Sequence, residues 1–126
     1  MILCDTNILV EFYKNNSRVV NELQQIGINH LAISIITQAE LYYGAINKVE
    51  LTRIQKHLNL LYNLPIDQQI SAEFIQLMMR YSLSHKITIP DALIAATALV
   101  HDISLYTLNI KDFRFIEGLN LYISQS

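Results

Sequence analysis

The chain has 126 residues, 52% of them hydrophobic and 16% charged, with a mean hydropathy of +0.26. That balance supports one buried core and excludes a disordered polypeptide, which needs low hydrophobicity and high charge. Nine Lys and Arg against eleven Asp and Glu give a net charge of −2, which excludes nucleic-acid binding through a broad basic face.

Met1–Cys4 is a short apolar run ending at Asp5 and reads as a buried strand. Thr6–Lys14 reads as a helix, Asn15–Ser17 as a break, and Arg18–Ile26 as a second helix stopped by Gly27. Leu31–Ile35 reads as the next strand. Ala39, Tyr42, Tyr43 and Ile46 then form an amphipathic helical stripe over Gln38–Asn47. Leu51, Ile54, Leu58 and Leu61 mark another helix, and Leu64–Ile66 a minor strand. Ile70, Phe74, Leu77, Met78 and Tyr81 mark a long helix before the polar break at Ser84–Lys86.

Pro90 sits where a helix begins, at a position that tolerates a missing N–H, and the Ala-rich run Asp91–His101 follows it. Ser104–Leu108 reads as a strand and Leu119–Ile123 as a last one. Strands separated by helices predict parallel pairing with right-handed crossovers. The expected fold is α/β, a three-layer α/β/α sandwich on a central parallel sheet, with residues 1–126 as a single domain.

The longest apolar stretch, around Ala92–Val100, is about half the roughly 18 residues a membrane span needs. The apolar N-terminus lacks a basic flank and is interrupted by Asp5, which makes it a poor secretion signal. A lone Cys4 in an apolar run fits a reducing, cytoplasmic location. The four His residues show no zinc-ligand spacing.

Placed on this scaffold, the acids gather. Asp5 follows the first strand, Asn109 follows the strand Ser104–Leu108, and Asp112 comes one turn later. Glu40 and Asp91 fall in the first turns of their helices. Strand ends and helix starts share one edge of a parallel sheet, where ligand sites form. Clustered carboxylates repel one another unless a cation intervenes, and an all-oxygen donor set points to Mg²⁺ or Mn²⁺. Each acid also has a purely structural explanation. Asp5 is a good N-cap, Thr37-x-x-Glu40 matches a capping box, Asp91 suits a helix N-terminus, and Asn109 suits the cap of a short turn.

The segments Asp5-Thr6-Asn7, Thr37-Gln-Ala-Glu40, Asp91-Ala-Leu-Ile-Ala-Ala-Thr-Ala98 and Thr107-Leu-Asn109-Ile-Lys-Asp112-Phe113 together resemble the PIN-domain family. The detailed resemblance is to its bacterial VapC-type toxins and runs from Asp5 to about Leu121. It implies an α/β/α fold, Mg²⁺-dependent endoribonuclease activity, a homodimer, and inhibition by a cognate VapB-type antitoxin. The family's first three acids correspond to Asp5, Glu40 and Asp91. Its fourth position, often Asp, is Asn109 here, and Asp112 is the next acid able to serve.

The expected metal set is therefore Asp5, Glu40, Asp91 and Asp112, with Asn109 contributing a neutral oxygen or orienting substrate. Asn7 is expected to orient Asp5 or touch RNA, and Lys111 and Arg114 to meet phosphate. Two other readings compete with this one. A phosphoacceptor, receiver-like signalling domain would use Asp67 as acceptor. A nuclease-dead PIN module would bind RNA without cutting it, and its cue would be the Asn109 position. The apolar stripe around Tyr42 and Tyr43, with the facing Leu51–Leu61 helix, is the expected partner surface.

Overall fold

A four-stranded parallel sheet organises residues 1–124, the part of the chain that the computed structural model describes. Its strands are β1 (Ile2–Cys4), β2 (Leu31–Ser34), β3 (Tyr62–Leu64) and β4 (Ser104–Tyr106). They lie in the order β3-β2-β1-β4. The helices are α1 (Thr6–Tyr13), α2 (Ser17–Ile26), α3 (Ile35–Tyr43), α4 (Lys48–Leu58), α5 (Gln68–His85) and α6 (Ile89–His101). Gln125 and Ser126, the end of the expected domain, lie outside the described residues.

Side chains alternate across each strand, so each strand feeds two cores. Leu3, Ala32 and Leu105 face the layer of α5 and α6. Cys4, Leu31, Ile33 and Tyr106 face the layer of α1 to α4. Ala92, Ala95, Ala96 and Ala98 are all buried, and these small side chains let α6 lie close to the sheet. This is the expected three-layer sandwich. Among the described residues, no helix is long and apolar enough to cross a membrane. Cys4 is fully buried, and burial pushes its thiol pKa up to about 12, so it is inert.

The chain steps from β1 to β2 to β3 on one side, then returns past the start to place β4 on the other side of β1. The carboxyl end of β1 is thus the topological switch point, where open α/β sheets hold ligands.

Several boundaries differ from expectation. α3 starts at Ile35, because Ser34 caps it by accepting from the Ile36 N–H at 3.2 Å. It ends at Tyr43, and Asn47 instead caps α4 through the Glu50 N–H. β3 falls at Tyr62–Leu64 rather than Leu64–Ile66, since Pro65 has no N–H for a ladder. The expected strand at Leu119–Ile123 reduces to a single bridge between Leu121 and Leu105.

Candidate active site

Sheet register delivers the first pair of residues. Cys4 pairs with Tyr106, so Asp5 and Thr107 leave the sheet side by side. The Asp5 N–H donates to the Tyr106 carbonyl at 2.9 Å, which fixes the backbone there. The Asp5 carboxylate is 5% exposed and accepts twice: from the Thr6 N–H at 2.8 Å and from the Thr107 hydroxyl at 2.7 Å. Thr107 Oγ1 in turn accepts the Asn109 N–H at 3.0 Å. Asp5 does cap α1, as its structural explanation requires, but through one oxygen; the other is held by Thr107, just after β4.

Glu40 arrives from α3. Because Ser34 is the cap, Thr37-x-x-Glu40 is not a capping box, and Glu40 lies in the second turn rather than the first. Its Oε1 lies 2.7 Å from Thr6 Oγ1, which also lies 3.0 Å from the buried Thr37 hydroxyl. Thr6 has one proton to give, so it donates to the carboxylate and accepts from Thr37.

Asp91 is the third residue of α6, with Thr88 accepting its N–H at 3.3 Å. Asp112 lies in the short 3-10 turn Ile110–Asp112 and is half-buried. The electrostatics of these groups are coupled. Burial raises the Asp91 pKa to about 6, and the charges of Asp5, Asp112 and Glu40 add to the effect. Burial likewise pushes Asp5 up, against the hydrogen bonds from Thr107 and Thr6, with Glu40 and Asp112 pushing in the same direction as burial. Asp5, Glu40 and Asp112, from three other parts of the chain, thus all lie within electrostatic reach of Asp91 near the switch point.

The remaining expected residues fall around this core. Asn7 accepts the Leu108 N–H at 3.5 Å, tying α1 to the loop after β4 rather than reaching Asp5. Asn109 is exposed and its side chain makes no cap bond. Lys111 lines a cavity of about 160 Å³ beside Asp91 and Asp112, whereas Arg114 is exposed outside it. Asp67 caps α5 through the Ile70 N–H and follows β3, the edge strand two places from β1. That cap occupies one oxygen of the residue the signalling reading needs as acceptor.

The hydroxyls of Thr6, Thr37 and Thr107 were not among the expected site residues, although all three stand inside the quoted motifs. A second cavity, about 640 Å³, runs between α1, α3 and α4, and Glu40 forms part of its wall. Of the expected partner surface, Ile54, Leu58 and Leu61 are buried core, whereas Tyr43 (94% exposed) and Ile46 (81%) stand in solvent.

Among the described residues, no group of three or more His, Cys, Asp or Glu side chains is gathered tightly enough to hold a metal ion. The chemistry of the donors nevertheless fits a hard divalent cation, because every acid at this edge is a carboxylate and two have raised pKa values.

Comparison with known proteins agrees with this geometry. The PIN domain profile matches residues 2–117. The chain belongs to the PIN-domain family. It is 33% identical over 121 residues to Ribonuclease VapC10 of Mycobacterium tuberculosis, covering 94% of this chain and 90% of that protein. This PIN domain also superposes on solved structures. One is a chain of a toxin–antitoxin complex from Klebsiella pneumoniae, with TM-score 0.82, 33% identity and coverage of 94% and 95% of the two chains. Another is a chain of VapBC2 from Rickettsia felis bound to a DNA fragment from their promoter, with TM-score 0.78, 30% identity and coverage of 97% and 98%.

Proposed function

We propose that this PIN domain, spanning residues 1–126, is a metal-dependent endoribonuclease acting in the cytoplasm as the toxin of a toxin–antitoxin pair. The observation that carries the reading is that the charges of Asp5, Glu40 and Asp112 all reach Asp91 at the carboxyl edge of the sheet. It is supported by similarity over 94% of the chain to a protein named as a VapC ribonuclease.

Asp5 and Asp91 are the residues that would hold Mg²⁺ or Mn²⁺, with Asp112 completing the shell. When bound, the cation supplies positive charge for the developing phosphorane and acidifies water at neutral pH. Asp5 is fixed at both oxygens by Thr6 and Thr107, so its orientation is set before any ligand arrives. Glu40 has one oxygen held by Thr6, and its other oxygen is the acceptor for the proton of the attacking water. Asn109, exposed at the start of the turn that carries Asp112, is the residue we assign to orienting substrate. In-line attack by water leaves a 5′-phosphate and a 3′-hydroxyl. End-labelling of products from a structured RNA tests this; 2′,3′-cyclic phosphate ends would contradict it.

The structural relatives include toxin–antitoxin complexes, and we assign this chain the same class of partner, a VapB-type antitoxin. The groove lined by Phe12, Tyr13, Arg53, His57 and Glu40 is the surface we assign to it. Glu40 belongs both to that groove and to the acidic cluster, so an occupant of the groove reaches the active site. Tyr43, Ile46 and Val49 are exposed around the α3–α4 turn and supply apolar surface for a homodimer.

A further inference from the structure

Beside Asp91 and Asp112 lies the cavity of about 160 Å³, whose other lining residues include two lysines and two rings. They are Lys86, Lys111 and the exposed His85, whose ring stacks on Phe115 at 4.1 Å with planes 9° apart. Tyr81 packs edge-on against both rings, at 5.7 Å to His85 and 5.1 Å to Phe115, and buttresses the pair from below. One face of the imidazole is therefore covered by Phe115, while the residue as a whole stays exposed. Among the described residues neither Lys86 nor Lys111 is engaged in an ion pair; the two recorded are Lys14–Glu11 and Arg80–Glu117.

Lys86 closes α5 in the left-handed conformation, at φ 54° and ψ 40°. A residue with a Cβ is disfavoured there, and glycine is the usual occupant. The positive charge of Lys86 suits the C-terminus of α5, while its left-handed backbone is the conformation glycine adopts more readily. Two unpaired ammonium groups and a flat ring, all on the rim of the carboxylate cluster, match the chemistry of one nucleotide. Ammonium groups take phosphate oxygens, and an exposed ring takes a base by stacking.

We propose that the His85–Phe115 stack and the Lys86 and Lys111 ammonium groups form a subsite for one unpaired nucleotide of RNA, next to the phosphodiester presented to the carboxylates. The proposal rests on the ribonuclease reading and adds to it the binding of a neighbouring base and phosphate. An unstacked base is required, so the subsite selects single-stranded segments and loops over duplex.

The test is fluorescence anisotropy of the full chain with a short labelled single-stranded RNA, in chelator so that the RNA stays intact, across a salt series. Lys86→Ala and Lys111→Ala should each weaken binding and lower the slope of log affinity against log salt by about 0.7. His85→Ala should weaken binding about tenfold with the slope unchanged, and His85→Phe should restore it, because stacking needs a ring and no hydrogen bond. Thermal melts accompany each variant. If His85→Ala loses its fold, the two lysine variants, both at exposed positions, decide the matter. Wild-type affinity and slope in Lys86→Ala and Lys111→Ala would overturn the subsite while leaving the ribonuclease reading intact. A wild-type protein that neither binds nor cuts RNA would remove both.

Discussion

The hydroxyl of Thr107 donates to Oδ2 of Asp5 at 2.7 Å, joining residues 102 positions apart in the chain. It is the bond that makes the ends of β1 and β4 a single site, and it opposes the burial that pushes the Asp5 carboxyl up. Hydrogen bonds to a charged group are worth about 1.5–3 kcal/mol. Thr107→Val keeps the shape and removes the donor, so Asp5 should rise further. Cleavage at neutral pH should fall about tenfold or more, with the acidic limb of the pH–rate profile moved to higher pH. An unchanged limb would show that the bond does not tune Asp5.

The raised carboxyls set the pH dependence of stability. In the folded chain Asp91 is raised to about 6, above its unfolded value near 3.9, and Asp5 is raised as well. The native state therefore binds more protons than the unfolded state between those values, and stability falls as pH rises through that window. Without divalent cation, the melting temperature should drop between about pH 4 and pH 6 by these groups' contribution. Asp91→Asn, which mimics the protonated form, should flatten part of that slope and melt higher than wild type at pH 7. Mg²⁺ should raise the melting temperature more at pH 7 than at pH 4, since it binds the ionised site. Thermal melts over a pH series check all three.

Ser34 and Glu40 separate fold from function on one helix. Ser34 caps α3, and Glu40 accepts from Thr6 one turn and more away. Ser34→Ala should cost about 1 kcal/mol of stability, measured by urea unfolding. Glu40→Gln should unfold like wild type and lose most of its cleavage rate. Full activity in Glu40→Gln would leave the residue as a buttress for Thr6.

The element order and the sheet edge that carries the acids were legible in the sequence, because strand ends and helix starts are marked by hydrophobic period and by caps. Asp5, Asp91 and Asp112 could be placed together from that edge alone. The start of α3 was not legible. Ile35 and Ile36 carry the β-branched signature of a strand, and only the Ser34 side-chain bond shows that the helix has begun. The threonine network was hidden for a different reason. Thr6, Thr37 and Thr107 look like ordinary motif residues until three separate elements bring their hydroxyls to the carboxylates. The subsite wall was hidden too, since the stacking of His85 on Phe115 links residues 30 positions apart that no local pattern connects.

Asp112 and Asn109 should divide the fourth position unequally. Asp112 is half-buried within the electrostatic reach of Asp5 and Asp91, whereas the Asn109 side chain is exposed. Asp112→Asn should raise the Mg²⁺ concentration for half-maximal cleavage markedly. Asn109→Ala should change it little, and Asn109→Asp should hold or lower it. A dead Asn109→Ala beside a wild-type Asp112→Asn would reverse these roles.

The most direct test of the central claim is RNA cleavage by the purified chain with Mg²⁺ or Mn²⁺, before and after chelation, beside Asp5→Asn and Asp91→Asn. Cleavage should stop on chelation, and each variant should lose on the order of 10²- to 10⁴-fold in rate. Both variants should keep a cooperative thermal melt. Undiminished, chelator-resistant cleavage in both variants would contradict the claim.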